Sequence, residues 1–128
     1  MTERQRLILV LEDDPDVCEV LADMLRDAGH DAICTHTVQQ ALEHLAEAAI
    51  DLALIDLLMR GAPSPLEVAD RAKQKGAAVV LMSGSPQALE KFANGPYPIL
   101  AKPFRHLELL QIIERSLSLG GECSERSD

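Results

Sequence analysis

The sequence predicts an α/β domain: one doubly wound parallel sheet of five strands with five helices on its two faces, a flavodoxin-like arrangement with a short fourth helix. Two observations carry this. Short runs such as Leu7 to Leu11 and Leu52 to Ile55 are apolar throughout rather than alternating, as in strands buried on both faces. Five strand-like stretches alternate with five segments of helical character, and parallel strands need crossovers of that kind. The crossovers are expected to be right-handed.

The elements follow in order. Leu7 to Leu11 is the first buried strand and ends in Glu12-Asp13-Asp14-Pro15. Asp14 can cap a helix with Pro15 in its first position. Val17, Leu21, Met24 and Ala28 recur at helical spacing, with Val20 and Leu25 widening the stripe, and Gly29 closes the helix. Asp31 to Thr35 is a short second strand. Thr37 caps the next helix, whose buried face reads as Val38, Ala41, Leu42, Leu45 and Ala49. The third strand, Leu52 to Asp56, leads into a loop from Leu57 to Ser64 that contains Gly61 and Pro63. A helix from about Pro65 to Lys75 ends at Gly76. Ala77 to Met82 is the fourth strand, followed by Ser83-Gly84 and a short helix from Pro86 to Ala93. Asn94 to Pro98 is a loop. Ile99 to Ala101 is a brief fifth strand before Lys102-Pro103. The last helix turns Leu109, Ile112, Ile113 and Leu117 inward and is expected to stop at Gly120-Gly121. The domain then covers 1–121, and 122–128 is a frayed polar tail.

The chain has 128 residues, 47% hydrophobic and 26% charged, which suits one globular core without a second domain. No apolar run reaches membrane-spanning length. The polar start, Met1 to Arg6, does not read as a signal peptide, so the chain is expected to be cytoplasmic, and its two ends fit a complete protein. A net charge of -9 with no basic cluster argues against direct nucleic-acid binding. Cys18, Cys34 and Cys123 form no C-x-x-C pair and imply neither a disulfide framework nor a zinc site; Cys18 and Cys34 read as small buried hydrophobes. The four histidines, His30, His36, His44 and His106, are scattered and read as surface or boundary residues.

The chemistry lies at the strand ends. Four of the five strands end in polar residues: Glu12 with Asp13, Asp56, Ser83 and Lys102. In an open α/β sheet such ends share one edge, where ligands bind. Three carboxylates there repel one another and call for a cation, and their hard oxygens suit Mg²⁺. A carboxylate nucleophile beside that cation, with a lysine and a hydroxyl ready for new oxygens, is a set of parts for phosphoryl transfer. Asp56 is the candidate nucleophile. For Asp14 the simpler reading, an acid favoured by a helix N-terminus, comes first.

Leu-Val-Leu-Glu-Asp-Asp-Pro at 9–15, Leu-Ile-Asp-Leu around Asp56, Met82-Ser83-Gly84 and Ala101-Lys102-Pro103-Phe104 stand in order, each at a strand end. With them the chain resembles, over nearly its whole length, the receiver domains of bacterial two-component response regulators, of the stand-alone type. The resemblance implies that Asp56 accepts a phosphoryl group from a phosphohistidine on a histidine kinase or phosphotransfer protein. It implies Mg²⁺ held by Asp13 directly, by Glu12 through water, by Asp56 and by the backbone carbonyl of Leu58. It gives Ser83 and Lys102 to the phosphoryl oxygens and a cis bond to Lys102-Pro103. It implies a signal passed to a protein partner, or along a phosphorelay, by a protein that turns over no separate substrate.

Three positions depart from the family. Ile99 stands where an aromatic residue usually swings inward, and Tyr97 lies two residues away in a Pro-bounded loop. The interval from Ser83 to Lys102 is short, which trims the fourth helix. Arg60 stands where the family often has Pro. Apolar Leu58 offers no hydrogen bond to an attacking water, so the phosphoryl group is expected to last. Three other functions compete with this one. A phosphatase of the aspartyl-phosphate kind would carry a second Asp where Leu58 stands. A nucleotide or flavin module would want a Gly-rich or hydroxyl-rich loop where Glu12 to Pro15 stand. A receiver-fold interaction module independent of phosphorylation is the remaining alternative.

Overall fold

The computed structural model describes residues 5–59 and 63–126. The expectations for Arg60 and Gly61, and for the extreme ends of the chain, concern residues outside that range. The elements are β1 (Leu7–Leu11), α1 (Pro15–Asp27), β2 (Asp31–Thr35), α2 (Val38–Glu47), β3 (Leu52–Asp56), α3 (Pro65–Gln74), β4 (Ala78–Ser83), α4 (Pro86–Phe92), β5 (Ile99–Ala101) and α5 (His106–Arg126). The strands form one parallel sheet in the order β2-β1-β3-β4-β5.

Successive side chains of each strand point to opposite faces, and both faces are covered. Ile8, Val10, Leu52, Leu54, Val80 and Met82 pack with α1 and α5 residues, including Leu21, Leu25, Leu109 and Ile113. Leu9, Leu11, Ala53, Ile55, Val79 and Leu81 pack with α2 and α3 residues, including Val38, Leu45, Val68 and Ala72. All five residues of β3 are buried. Burying a Leu or Ile side chain contributes about 1.5–3 kcal/mol, so the central strands contribute heavily to the stability of the fold.

The helix ends follow local chemistry. The Asp14 carboxylate accepts from the Asp16 and Val17 N–H groups, the Thr37 hydroxyl from Gln40 N–H, and the Ser64 hydroxyl from Leu66 N–H. Gly29 and Gly76 adopt positive φ just beyond α1 and α3, a conformation that other residues enter at a steric cost.

Several expectations are corrected. The buried face of α1 is Cys18, Leu21, Ala22 and Leu25, with Val17 37% and Val20 59% exposed. Small Cys18 and Ala22 let the helix lie close to the sheet, and this outweighs the larger apolar surface of the two valines. Ala28 is exposed because it is the C-cap, just past the last residue of α1. Ala49 lies beyond the end of α2 and is exposed. Cys34 is half-buried rather than buried, and His30 is buried rather than peripheral, with its Nε2 2.6 Å from Glu114 Oε2 on α5. Helix α5 runs through Gly120-Gly121 to Arg126. Glycine lowers helix stability by about 1 kcal/mol against alanine but does not by itself end a helix. The short fourth helix is as expected: α4 has seven residues and none is buried.

Candidate functional site

The two central strands part at the edge where the acids stand. β1 pairs with β3 up to Leu11 and Ile55, so the next residues, Glu12 and Asp56, emerge side by side. From this point the chain winds outward in both directions, β1 to β2 on one side and β3 to β4 and β5 on the other. Such a switch point opens a crevice beyond the strand ends.

Glu12 and Asp56 are each only 3% exposed. Buried carboxylates need partners, and Lys102 supplies one to both. From the end of β5, its Nζ donates to Asp56 Oδ2 at 2.7 Å and to Glu12 Oε1 at 2.8 Å. The second oxygen of Asp56 accepts from Leu58 N–H at 2.8 Å, and that of Glu12 from Asp14 N–H at 3.3 Å. Burial raises the Glu12 carboxyl above its ordinary value, and Asp56 adds to this against the opposing pull of Lys102. For Lys102 burial pulls downward, but the two carboxylates outweigh it and the ammonium is held charged.

Asp13 is exposed and completes the acidic cluster. One oxygen each from Glu12, Asp13 and Asp56 lie within 4.8 Å of one another. Hard carboxylate oxygens at this spacing, open to water on the Asp13 side, fit a divalent cation such as Mg²⁺. Leu58 joins the site through its backbone, while its side chain is 74% exposed. Ser83 is 2% exposed at the end of β4. Its Oγ accepts from Ser85 N–H at 3.0 Å, which leaves the hydroxyl hydrogen to donate elsewhere. The Ser83 carbonyl accepts from Lys102 N–H at 2.9 Å, which sets the two residues next to each other. The Lys102-Pro103 bond is cis, as expected.

Two neighbours of the acids were not foreseen. The Thr35 carbonyl accepts from Glu12 N–H at 3.0 Å, and His36 Nδ1 donates to the Glu12 carbonyl at 3.2 Å. Both hold the backbone that carries Glu12. The signal was in the sequence: β2, like the other strands, ends in polar residues, Thr35 and His36. The aromatic near Ile99 is also tied down. Tyr97 donates to Asp70 Oδ1 at 2.8 Å, and Lys73 Nζ stands 5.7 Å from its ring centroid. Burial, then the bond to Asp70 and its charge, push the phenol up to about 12.

Comparison with known proteins agrees with this geometry. The sequence model of the response regulator receiver domain matches residues 8–114. Among curated relatives, the regulatory protein VanR of Enterococcus faecium is 25% identical over 86% of this chain and 49% of that protein. The nitrogen assimilation regulatory protein NtrX of Azorhizobium caulinodans is 30% identical over 86% of this chain and 26% of its own length. The chain thus spans about half or less of these two relatives. Among solved structures, a response regulator receiver protein from Sinorhizobium medicae superposes with a TM-score of 0.82 at 24% identity, over 91% of this chain and 98% of that one. NtrX from Brucella abortus gives 0.85 at 27% identity, over 98% of this chain and 29% of that one. The matched stretch contains every residue of the acidic site, and on these grounds the chain belongs to the receiver domain family of two-component response regulators.

Proposed function

We propose that this receiver takes a phosphoryl group from a phosphohistidine of a histidine kinase or phosphotransfer protein onto Asp56, and that the phosphorylated form signals through contacts with a protein partner. The observation that carries the proposal is the pair of buried neighbouring carboxylates, Glu12 and Asp56, bridged by one ammonium from Lys102. A purely structural role accounts poorly for two buried acids sharing one cation beside a third acid.

In the proposed reaction an Asp56 oxygen attacks phosphorus. A P–O bond forms, the P–N bond to the donor imidazole breaks, and the imidazole leaves with the electron pair and takes up a proton. Mg²⁺, when bound, neutralises charge on the carboxylates and on the incoming phosphoryl oxygens. Asp13, Glu12, Asp56 and the Leu58 carbonyl would hold it. Lys102 Nζ, which stands against Asp56 and Glu12, would bind the phosphoryl oxygens as they arrive on Asp56. Ser83 donates its free hydroxyl hydrogen to another of them. These groups position and neutralise, which is most of what phosphoryl transfer asks of a protein.

The product biases a two-state equilibrium read by a partner. The protein turns over no separate substrate and works in the cytoplasm through protein contacts, with no nucleic acid bound directly. Transfer of label from a phosphorylated histidine phosphotransfer protein tests this. Label is expected on wild type with Mg²⁺, and is lost with a chelator or in Asp56→Asn. Label retained in Asp56→Asn would overturn the assignment of the acceptor. No label from a panel of such donors would leave the phosphorylation-independent interaction module as the better reading.

A further inference from the structure

A second cluster of reactive side chains lies beneath the acidic site and takes no part in the proposed transfer. Cys18 in α1 has no exposed surface, while Cys34 in β2 is half-buried. The Cys34 thiol donates to the Cys18 carbonyl at 3.4 Å, so its sulfur rests against the Cys18 residue itself. The Cys18 thiol points back to the sheet, 3.8 Å from the Thr35 carbonyl and 4.0 Å from the Val10 carbonyl. Val10 is the register partner of Cys34. Both side chains therefore converge on one short stretch where α1 crosses β1 and β2. Cys18 belongs to the core cluster on the α1 side of the sheet, and Cys34 packs against that same cluster.

We propose that Cys18 and Cys34 form a reversible intramolecular disulfide when the protein meets a hydroperoxide, tying α1 to β2. Solvent reaches Cys34, so Cys34 reacts first. Its thiolate attacks the O–O bond of hydrogen peroxide: an S–O bond forms, the O–O bond breaks, and the departing hydroxide takes a proton to become water. The Cys18 sulfur then attacks the sulfenic sulfur of Cys34. The S–S bond forms, the S–O bond breaks, and the Cys18 proton leaves with the hydroxide as a second water. Two thiols are oxidised and one peroxide is reduced. Burial first, then the neighbouring Cys34 thiol, push the Cys18 thiol up. The second step therefore quickens as pH rises.

The modification lies one hydrogen bond from the acidic pair. The Thr35 carbonyl that receives the Cys18 thiol also receives the Glu12 N–H.

The test uses the full chain with Cys123→Ser, which removes the third thiol. The dilute folded protein is treated with hydrogen peroxide, then denatured and alkylated. The expected product is a monomer that has lost two hydrogens, takes no alkyl label, gives a peptide joining Cys18 to Cys34, and regains both labels after dithiothreitol. With Cys18→Ser, dimedone should trap a sulfenic acid at Cys34. With Cys34→Ser, no adduct should appear at Cys18. Alkylation of both cysteines after peroxide would overturn the proposal. So would over-oxidation of Cys34 with Cys18 left free, or a disulfide found only between copies.

Discussion

Lys102 is the residue on which the electrostatics of the site turn. Its ammonium faces side chains of Glu12 and Asp56 that are 4% and 5% exposed. Removing one partner of such a group leaves charge buried without compensation. Lys102→Met should cost on the order of 3 kcal/mol of unfolding free energy without metal, and Mg²⁺ should stabilise this variant more than wild type. Urea unfolding with and without Mg²⁺ measures both. Glu12 gives a prediction in pH. Its folded value is raised, chiefly by burial, so its ionisation opposes folding. That penalty is absent below the unfolded value of about 4.3 and is complete once pH has risen through the folded value. Without metal, Glu12→Gln should therefore unfold at higher urea than wild type near neutral pH, and the gap should close at about pH 4. A less stable Glu12→Gln at neutral pH would show that the Lys102 ion pair outweighs burial. Leu58 is 74% exposed, two residues beyond Asp56. Its side chain cannot hydrogen-bond a hydrolytic water, so Leu58→Asn should shorten the life of the phosphorylated form, measured as loss of phosphate after the donor is removed. An unchanged lifetime would remove Leu58 as the cause.

At the scale of elements, β3 was legible at once because it is buried on both faces and reads as one apolar run ending in Asp56. The caps Asp14 and Thr37 were legible because each acts through its own side chain within a turn. The face of α1 was not. Hydrophobic size favours Val17 and Val20, yet tertiary packing chose the small Cys18 and Ala22. Nor could the pairing of His30 with Glu114 be read, since it joins residues 84 positions apart. The same holds for the segment before β5. Ile99 stands where the resemblance implies an aromatic residue, and Tyr97 is fastened to α3 through Asp70. The chain has one tyrosine and no tryptophan, so tyrosinate absorbance reports this contact alone. A free tyrosine is half ionised near pH 10, whereas Tyr97, pushed up to about 12, should remain protonated there. Asp70→Asn should move the titration back toward the ordinary value. A wild-type midpoint near the ordinary value would mean that the phenol is not held against α3.

For the whole molecule, the alternation of apolar runs and helical segments was enough to specify a parallel sheet with two covered faces. Strand order was not contained in that pattern, because buried strands resemble one another, and polar strand ends mark a shared edge without ordering the strands along it. Those ends mark a single edge, and β1 and β3 stand adjacent there only because the chain reverses its winding between them. Long-range geometry thus turns four separate short motifs into one site. The extent of α5 is a further whole-chain feature that the paired glycines concealed. The central claim is that this site makes Asp56 a phosphoacceptor. Intact-protein mass after incubation with acetyl phosphate and Mg²⁺, for wild type and Asp56→Asn, tests it most directly. The account predicts a gain of one phosphoryl group in wild type alone. A gain in both proteins, or none in wild type with Mg²⁺ binding confirmed, would contradict it.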